Sequence, residues 1–198
     1  SGNLDAHGAT LVAQSSMGLL AGGALLTDGA KVSANALSVN AQSVSNQGGS
    51  LVNTGTQDIS LVVAGDINNT SGLIATNGSN LTLGAATLYN TDGKIVMAGN
   101  GTLSIAVGSL DGARGAIQSN GHTRIAGGAV NVQAGDTFGT QVTLRGTSLN
   151  NDGGKITQSG TGDTAIAMTA AVSNVGGTIA SNGKLDLTGT SFDNTSGT

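Results

Sequence analysis

Apolar residues in this chain seldom stand in runs. They occur singly or as i, i+2 pairs between glycine, asparagine and serine, and one arrangement returns every 20 to 23 residues. Numbered from an apolar residue at position 1, the units start at Val44, Ile67, Leu88, Leu110, Leu149, Val172 and Phe192. Position 3 is Asn46, Asn69, Asn90, Asn151, Asn174 or Asn194, with Gly112 the exception. Position 6 is always glycine: Gly49, Gly72, Gly93, Gly115, Gly154, Gly177 and Gly197. Position 8 of each complete unit is aliphatic, from Leu51 to Ile179, and position 12 is glycine again. A second alternating pair follows, as Ile59/Leu61, Leu81/Leu83, Leu103/Ile105, Ile166/Met168 and Leu185/Leu187. The one long gap, 39 residues after Leu110, fits two degenerate coils, the second starting near Val130 with Gly135, Val142 and Leu144.

Alternation at period two, broken by glycine turns, predicts three short strands per unit. About 20 residues cannot bury their own apolar side chains: ordering each backbone residue costs roughly 1–2 kcal/mol, and each buried aliphatic returns about 1.5–3 kcal/mol. Stacking lets neighbouring units share one core. The expected fold is therefore all-β, a right-handed parallel β-helix of about 8–10 coils, the hand following from the usual sense of parallel crossovers. At about 4.8 Å per coil the rod is on the order of 45 Å long. We expect one solenoid over 1–198: irregular coils in 1–27, regular repeats in 28–109, two degenerate coils in 110–148, and regular repeats in 149–198 with the last coil truncated. Alternation points the position-3 asparagines inward, where a buried amide needs partners. Stacked asparagines can supply them to one another, so Asn46, Asn69 and Asn90 should form one ladder and Asn151, Asn174 and Asn194 another. The position-6 glycines are expected to make the turns.

Composition supports this picture. There are 34 glycines among 198 residues and no Pro, Cys or Trp; all 11 acidic residues are Asp. Asn, Asp and Gly tolerate the left-handed backbone of tight turns. A net charge of −4 leaves no basic patch for nucleic acid. No apolar run approaches the roughly 18 residues of a membrane-spanning helix. The abrupt start and end are those expected of a segment, whose open coil edges invite end-to-end self-stacking.

The unit L-x-N-x-G-G-x-I-x-x-x-G…L-x-L resembles the haemagglutinin repeat of filamentous-haemagglutinin-type two-partner-secretion exoproteins, a family of adhesins and contact-dependent growth-inhibition filaments. The resemblance covers Asp28 to Thr198 well and the first 27 residues weakly. It implies a β-helical shaft, secreted to the exterior of a Gram-negative outer membrane in an extended state by a dedicated outer-membrane transporter. It further implies a host-cell receptor or glycan, or a target-cell receptor, as a partner of the whole protein. The family's amino-terminal secretion domain carries Asn-Pro motifs, so a chain without proline is not that domain. No toxin-like carboxyl-terminal domain is visible either, and shaft remains.

Little chemistry competes with this reading. His7 and His122 lack a second ligand at metal spacing, and neither a cofactor nor a metal is expected. A β-helical polysaccharide-degrading enzyme would need carboxylates and basic groups on one face, and Asp111 with Arg114 and Arg124 is the nearest cluster. Six Asn-x-Ser/Thr sequons occur; of these Asn77, Asn80 and Asn100 lie in or beside turns. The segment is expected to extend and display other domains and not to be an enzyme. The alternative is that it binds a receptor or glycan itself through the irregular coils 110–148, with Arg114, Arg124, Phe138 and Arg145 as contacts.

Overall fold

A computed structural model of the chain describes residues 2–198. Among these residues there are twenty-four strands and no helix, and every strand pairing is parallel. The chain winds as a parallel β-solenoid of about nine turns, with about 21 residues and three strands per coil. Three faces result, each a column of strands with alternate side chains turned inward.

The first face carries position 1. Its inward column runs in register from Leu4 through Leu25, Val44, Ile67, Leu88 and Leu110 to Val130, Leu149, Val172 and Phe192. The gap after Leu110 thus holds two coils, with Val130 on the column. The second face carries position 8, from Leu11 and Val32 to Ile156 and Ile179, in a nine-stranded sheet of its own. The third face carries the pair after position 12. Its strands join those of the first face in a fifteen-stranded sheet, because Leu81–Tyr89 and Thr102–Asp111 run through the corner between them.

Register corrects one expected pair. Leu103 and Ile105 stand over Thr123 and Ile125, then Val142 and Leu144, then Thr164 and Ile166. The pair in that coil is therefore Thr164/Ile166, and Met168 lies opposite Gly146 beyond it. Its buried threonine breaks the aliphatic alternation that marks the other pairs. The opening residues also stack: Leu4 pairs with Leu25 and Leu11 with Val32, with one register shift between Ala13 and Ser16.

Coil length decides where pairing fails. Gly55 N–H donates to Asn35 O (3.0 Å) and Gly65 N–H to Gln42 O (2.8 Å). Between these bonds the lower coil has seven residue steps and the upper has ten. The strand Ile59–Val62 accordingly pairs only upward, with Leu81–Tyr89, and Lys31–Asn40 belongs to the other sheet. A seam without backbone pairing crosses the third face there.

Candidate functional site

The densest polar chemistry lies at the corner between the first and second faces. Position 3 turns inward there, and Asn46, Asn69, Asn90, Asn151 and Asn174 are all buried. Asn46 Nδ2 donates to Asn69 Oδ1 (2.8 Å), and Asn69 Nδ2 to Asn90 Oδ1 (2.7 Å). Asn151 Nδ2 donates to Asn174 Oδ1, and Asn174 Nδ2 to Asn194 Oδ1, each at 2.6 Å. Each amide also reaches backbone carbonyls, as Asn69 does to Gly72 O (3.3 Å) and Lys94 O (3.2 Å). Thr27, on the same column one coil earlier, extends the first ladder by donating to Asn46 Oδ1 (3.2 Å). Within a ladder each amide thus bonds the asparagine of the next coil, and one coil is keyed to the next.

Gly112 and Val132 separate the ladders. Asn90 Nδ2 finds only Gly93 O and Ala116 O, both at 3.3 Å. On the far side Asn151 Oδ1 meets no donor; it and Thr137 Oγ1 are the buried side-chain polar atoms without a partner among the described residues.

The structure assigns the corner glycines a different role from the expected one. The left-handed residue is position 5, at each of the ten passages through this corner: Gly8, Gly29, Gly48, Ser71, Asp92, Arg114, Ala134, Gly153, Gly176 and Ser196, with φ between 52° and 65°. Position 6 is alanine in the first two coils, Ala9 and Ala30, and from Gly49 on it is glycine because of close approach. A Cβ on Gly72 would collide with the carbonyl oxygen of Asn46 and lie 2.6 Å from Asn69 Oδ1. Gly49, Gly93, Gly154, Gly177 and Gly197 are hemmed in the same way, by the preceding coil's position-3 carbonyl and their own coil's Asn Oδ1. At Gly115, whose coil lacks the asparagine, the obstacles are Asn90 O and Asn90 Nδ2. The ladder and the glycine column are one device.

Asp and Asn at positions 2 and 4 cap the same corner, in a column that the repeat does not mark because its letter and position vary. Asn68, Asn131 and Asn150 accept from the N–H two residues on, at 3.0–3.2 Å. Asp28 and Asp152 act across coils instead. Asp28 accepts from Gln47 N–H (2.8 Å) and the Ser45 hydroxyl (2.6 Å), and Asp152 from Val175 N–H and the Ser173 hydroxyl. Buried amides also hold the next corner. Asn53 donates to Gly55 O, Gln57 O and Thr76 Oγ1 and accepts from Leu37 N–H. Their signal was present as inward-phase polar residues, but no constant letter marked it.

The four residues offered as ligand contacts are not gathered together. Arg114 stands at the first corner in a bidentate pair with Asp92, both bonds 2.8 Å. That pairing holds the Asp92 carboxyl below its usual range and raises Arg114. Arg124 and Arg145 project from the third face, exposed, on adjacent coils. Phe138 lies on the second face. Asp111 bonds Asn131 Nδ2 (3.1 Å) and meets neither arginine in an ion pair. The enzyme-like cluster of Asp111, Arg114 and Arg124 is therefore dispersed over the first face, its corner and the third face.

The histidines occupy contrasting sites. His7 Nδ1 lies 2.6 Å from Asp5 Oδ1 and Nε2 lies 3.1 Å from Asp28 Oδ2, and the Asp5 hydrogen bond raises its pKa. His122 contacts Thr143 Oγ1 (2.9 Å); burial, then the Arg124 charge, lower it. No group of three or more His, Cys, Asp or Glu among the described residues is placed to hold a metal ion.

No protein-family model matches the chain, and no solved structure matches it. Among curated proteins it is similar to Toxin CdiA of Yersinia pestis, with 26% identity over 94% of this chain. The chain spans about 7% of the length of that relative. A parallel β-solenoid related in sequence to a small part of a very long toxin protein is the sum of what fold and comparison establish.

Proposed function

We propose that this chain is a length of shaft in a large secreted protein of the bacterial surface. It is exported through the outer membrane by a dedicated transporter, and it holds binding or toxin segments away from the cell. The observation that carries this reading is the stack itself. Each coil pairs with the next along the rod, and two asparagine ladders key the coils from inside. Backbone hydrogen bonds lie along the axis of such a rod, so bending or stretching it works against many of them at once. The polar groups with strong geometry serve turns and ladders, not a cleft. The similarity to Toxin CdiA extends along 94% of the chain, as it would if the repeated columns were what is shared.

The test is a deletion of whole coils from this segment within its full-length parent. A shaft predicts that export and display persist while reach shortens. Loss of cell binding on replacing Arg124 and Arg145, with the fold intact, would instead give the segment a receptor-binding role of its own.

A further inference from the structure

The second face differs from the first on its outer side. Its outward residues at positions 7 and 9 include Val52, Leu73, Ala75, Val96, Ala116 and Phe138 on five consecutive coils, each partly exposed. The outward side of the first face is mostly polar instead, with Asn68, Asp111, Asn131, Asn150, Ser173 and Asp193, and Tyr89 between the first two. Parallel sheets are normally covered on both sides. A two-fold axis along the sixth strand of this sheet, Ala116–Ser119, superposes seven of its nine strands on their counterparts; at about 4.8 Å by about 13 Å each, they present roughly 440 Å² per molecule. Doubled, that is about 900 Å², the size of a small, reversible interface.

We propose that two copies of this chain pack antiparallel through their second faces, about a two-fold axis along the strand Ala116–Ser119. This goes beyond the shaft reading and does not depend on it. Lys94, Ala116 and Asp136 are consecutive register partners at position 7, and Val96, Gln118 and Phe138 are consecutive partners at position 9. A rotation about the middle strand exchanges the outer two. It sets Lys94 of each copy over Asp136 of the other and Val96 against Phe138, with Gln118 meeting its own twin. Lys94 is exposed and makes no ion pair within its own chain among the described residues. Asp136 Oδ2 is held by Gln118 Nε2 at 2.7 Å, and Lys155 follows it on the next coil. A groove of about 380 Å³, lined by Val96, Gln118, Asn120, Asp136 and Phe138 among others, lies across the axis. Phe138 is thus a projection beside a recess, and the two-fold brings each projection to the other copy's recess. Such an interface is self-complementary and closes at two molecules.

Sedimentation of the 198-residue chain over a range of concentrations tests this. The expected result is a monomer–dimer equilibrium that stops at two. Lys94→Asp and Asp136→Lys should each weaken it by at least about tenfold, because like charges then face each other twice. The double variant should restore it, and since both side chains point outward, circular dichroism of all three variants should match the parent. Gln118→Cys, in a chain otherwise free of cysteine, should couple to its twin through a short bismaleimide. A chain that stays monomeric overturns the proposal. So does an association that grows past two, as end-to-end stacking would, or one indifferent to both charge reversals.

Discussion

At the corner between the first and second faces, two adjacent residues answer to different physics. Position 5 is left-handed, which costs an ordinary L-residue about 1–2 kcal/mol, yet Ser71, Asp92, Arg114, Ala134 and Ser196 accept it. Position 6 has an ordinary backbone but no room. Gly93→Ala should therefore lower stability by about 3 kcal/mol, since the added Cβ meets the Asn69 carbonyl, which belongs to a coil that cannot withdraw. Ala134→Gly, one position earlier in its own coil, should raise stability by up to about 1 kcal/mol. Relief of the left-handed strain there exceeds the added freedom of the unfolded chain. Urea midpoints of the two variants, moving in opposite directions, check this. The ladder break makes a second prediction. Gly112→Asn with Val132→Asn would give Asn151 Oδ1 a donor and join the two ladders, raising stability by about 1 kcal/mol. Gly112 admits a Cβ if the Asn131 carbonyl, 3.2 Å away, yields slightly. A melting temperature unchanged or lowered in the double variant would count against the ladder as a stabilising device.

Among the elements, the strand Ile59–Val62 is the informative one. Ile59 N–H donates to Asn80 O (3.1 Å) and Val63 N–H to Gly84 O (2.9 Å), so the odd-numbered residues bond upward. In a parallel ladder the intervening residues bond the other way. For Ser60 and Val62 that direction is the seam. Their amides should exchange with solvent faster than those of Thr82 and Gly84, the matching residues one coil above, whose downward neighbour is paired. Equal protection at the two pairs, measured by hydrogen exchange, would refute the seam. The cause was visible in the chain as unequal spacing between Leu25, Val44 and Ile67. What could not be read there was which face would absorb the surplus. That depends on the anchoring bonds Gly55 to Asn35 and Gly65 to Gln42, which fix both ends of the mismatch.

For the whole molecule, the repeat implies modularity. Removing residues 67–87 joins Asp66 to Leu88, a register partner of Ile67, and leaves every column in phase. The shortened chain should fold to the same all-strand spectrum with a slightly lower melting temperature. Removing half as many residues from the same place should abolish cooperative melting, because every inward side chain beyond the cut loses its place. Leu185 and Phe192, on which no described residue of these columns stacks, are 42% and 50% exposed. Interior members of the same columns, such as Leu103 and Leu88, are fully buried.

The sequence by itself determined the solenoid, its three strands per coil, the inward asparagines and the second coil hidden after Leu110. All of these follow from periodicity, because a side chain's phase along a strand decides whether it is buried. Tertiary structure alone decided what depends on the coil above or below. It showed that from Gly49 on position 6 is glycine for want of space and that position 5 makes the turn. It replaced Ile166/Met168 with Thr164/Ile166. It linked Asp28 to Ser45 and Asp152 to Ser173, and it scattered Arg114, Arg124, Phe138 and Arg145 around the rod. These contacts join residues about one coil apart in the chain, and one coil apart is where variable loops shift the count. Periodicity carries the fold through such shifts, whereas a partner one coil away is named only once the register is known.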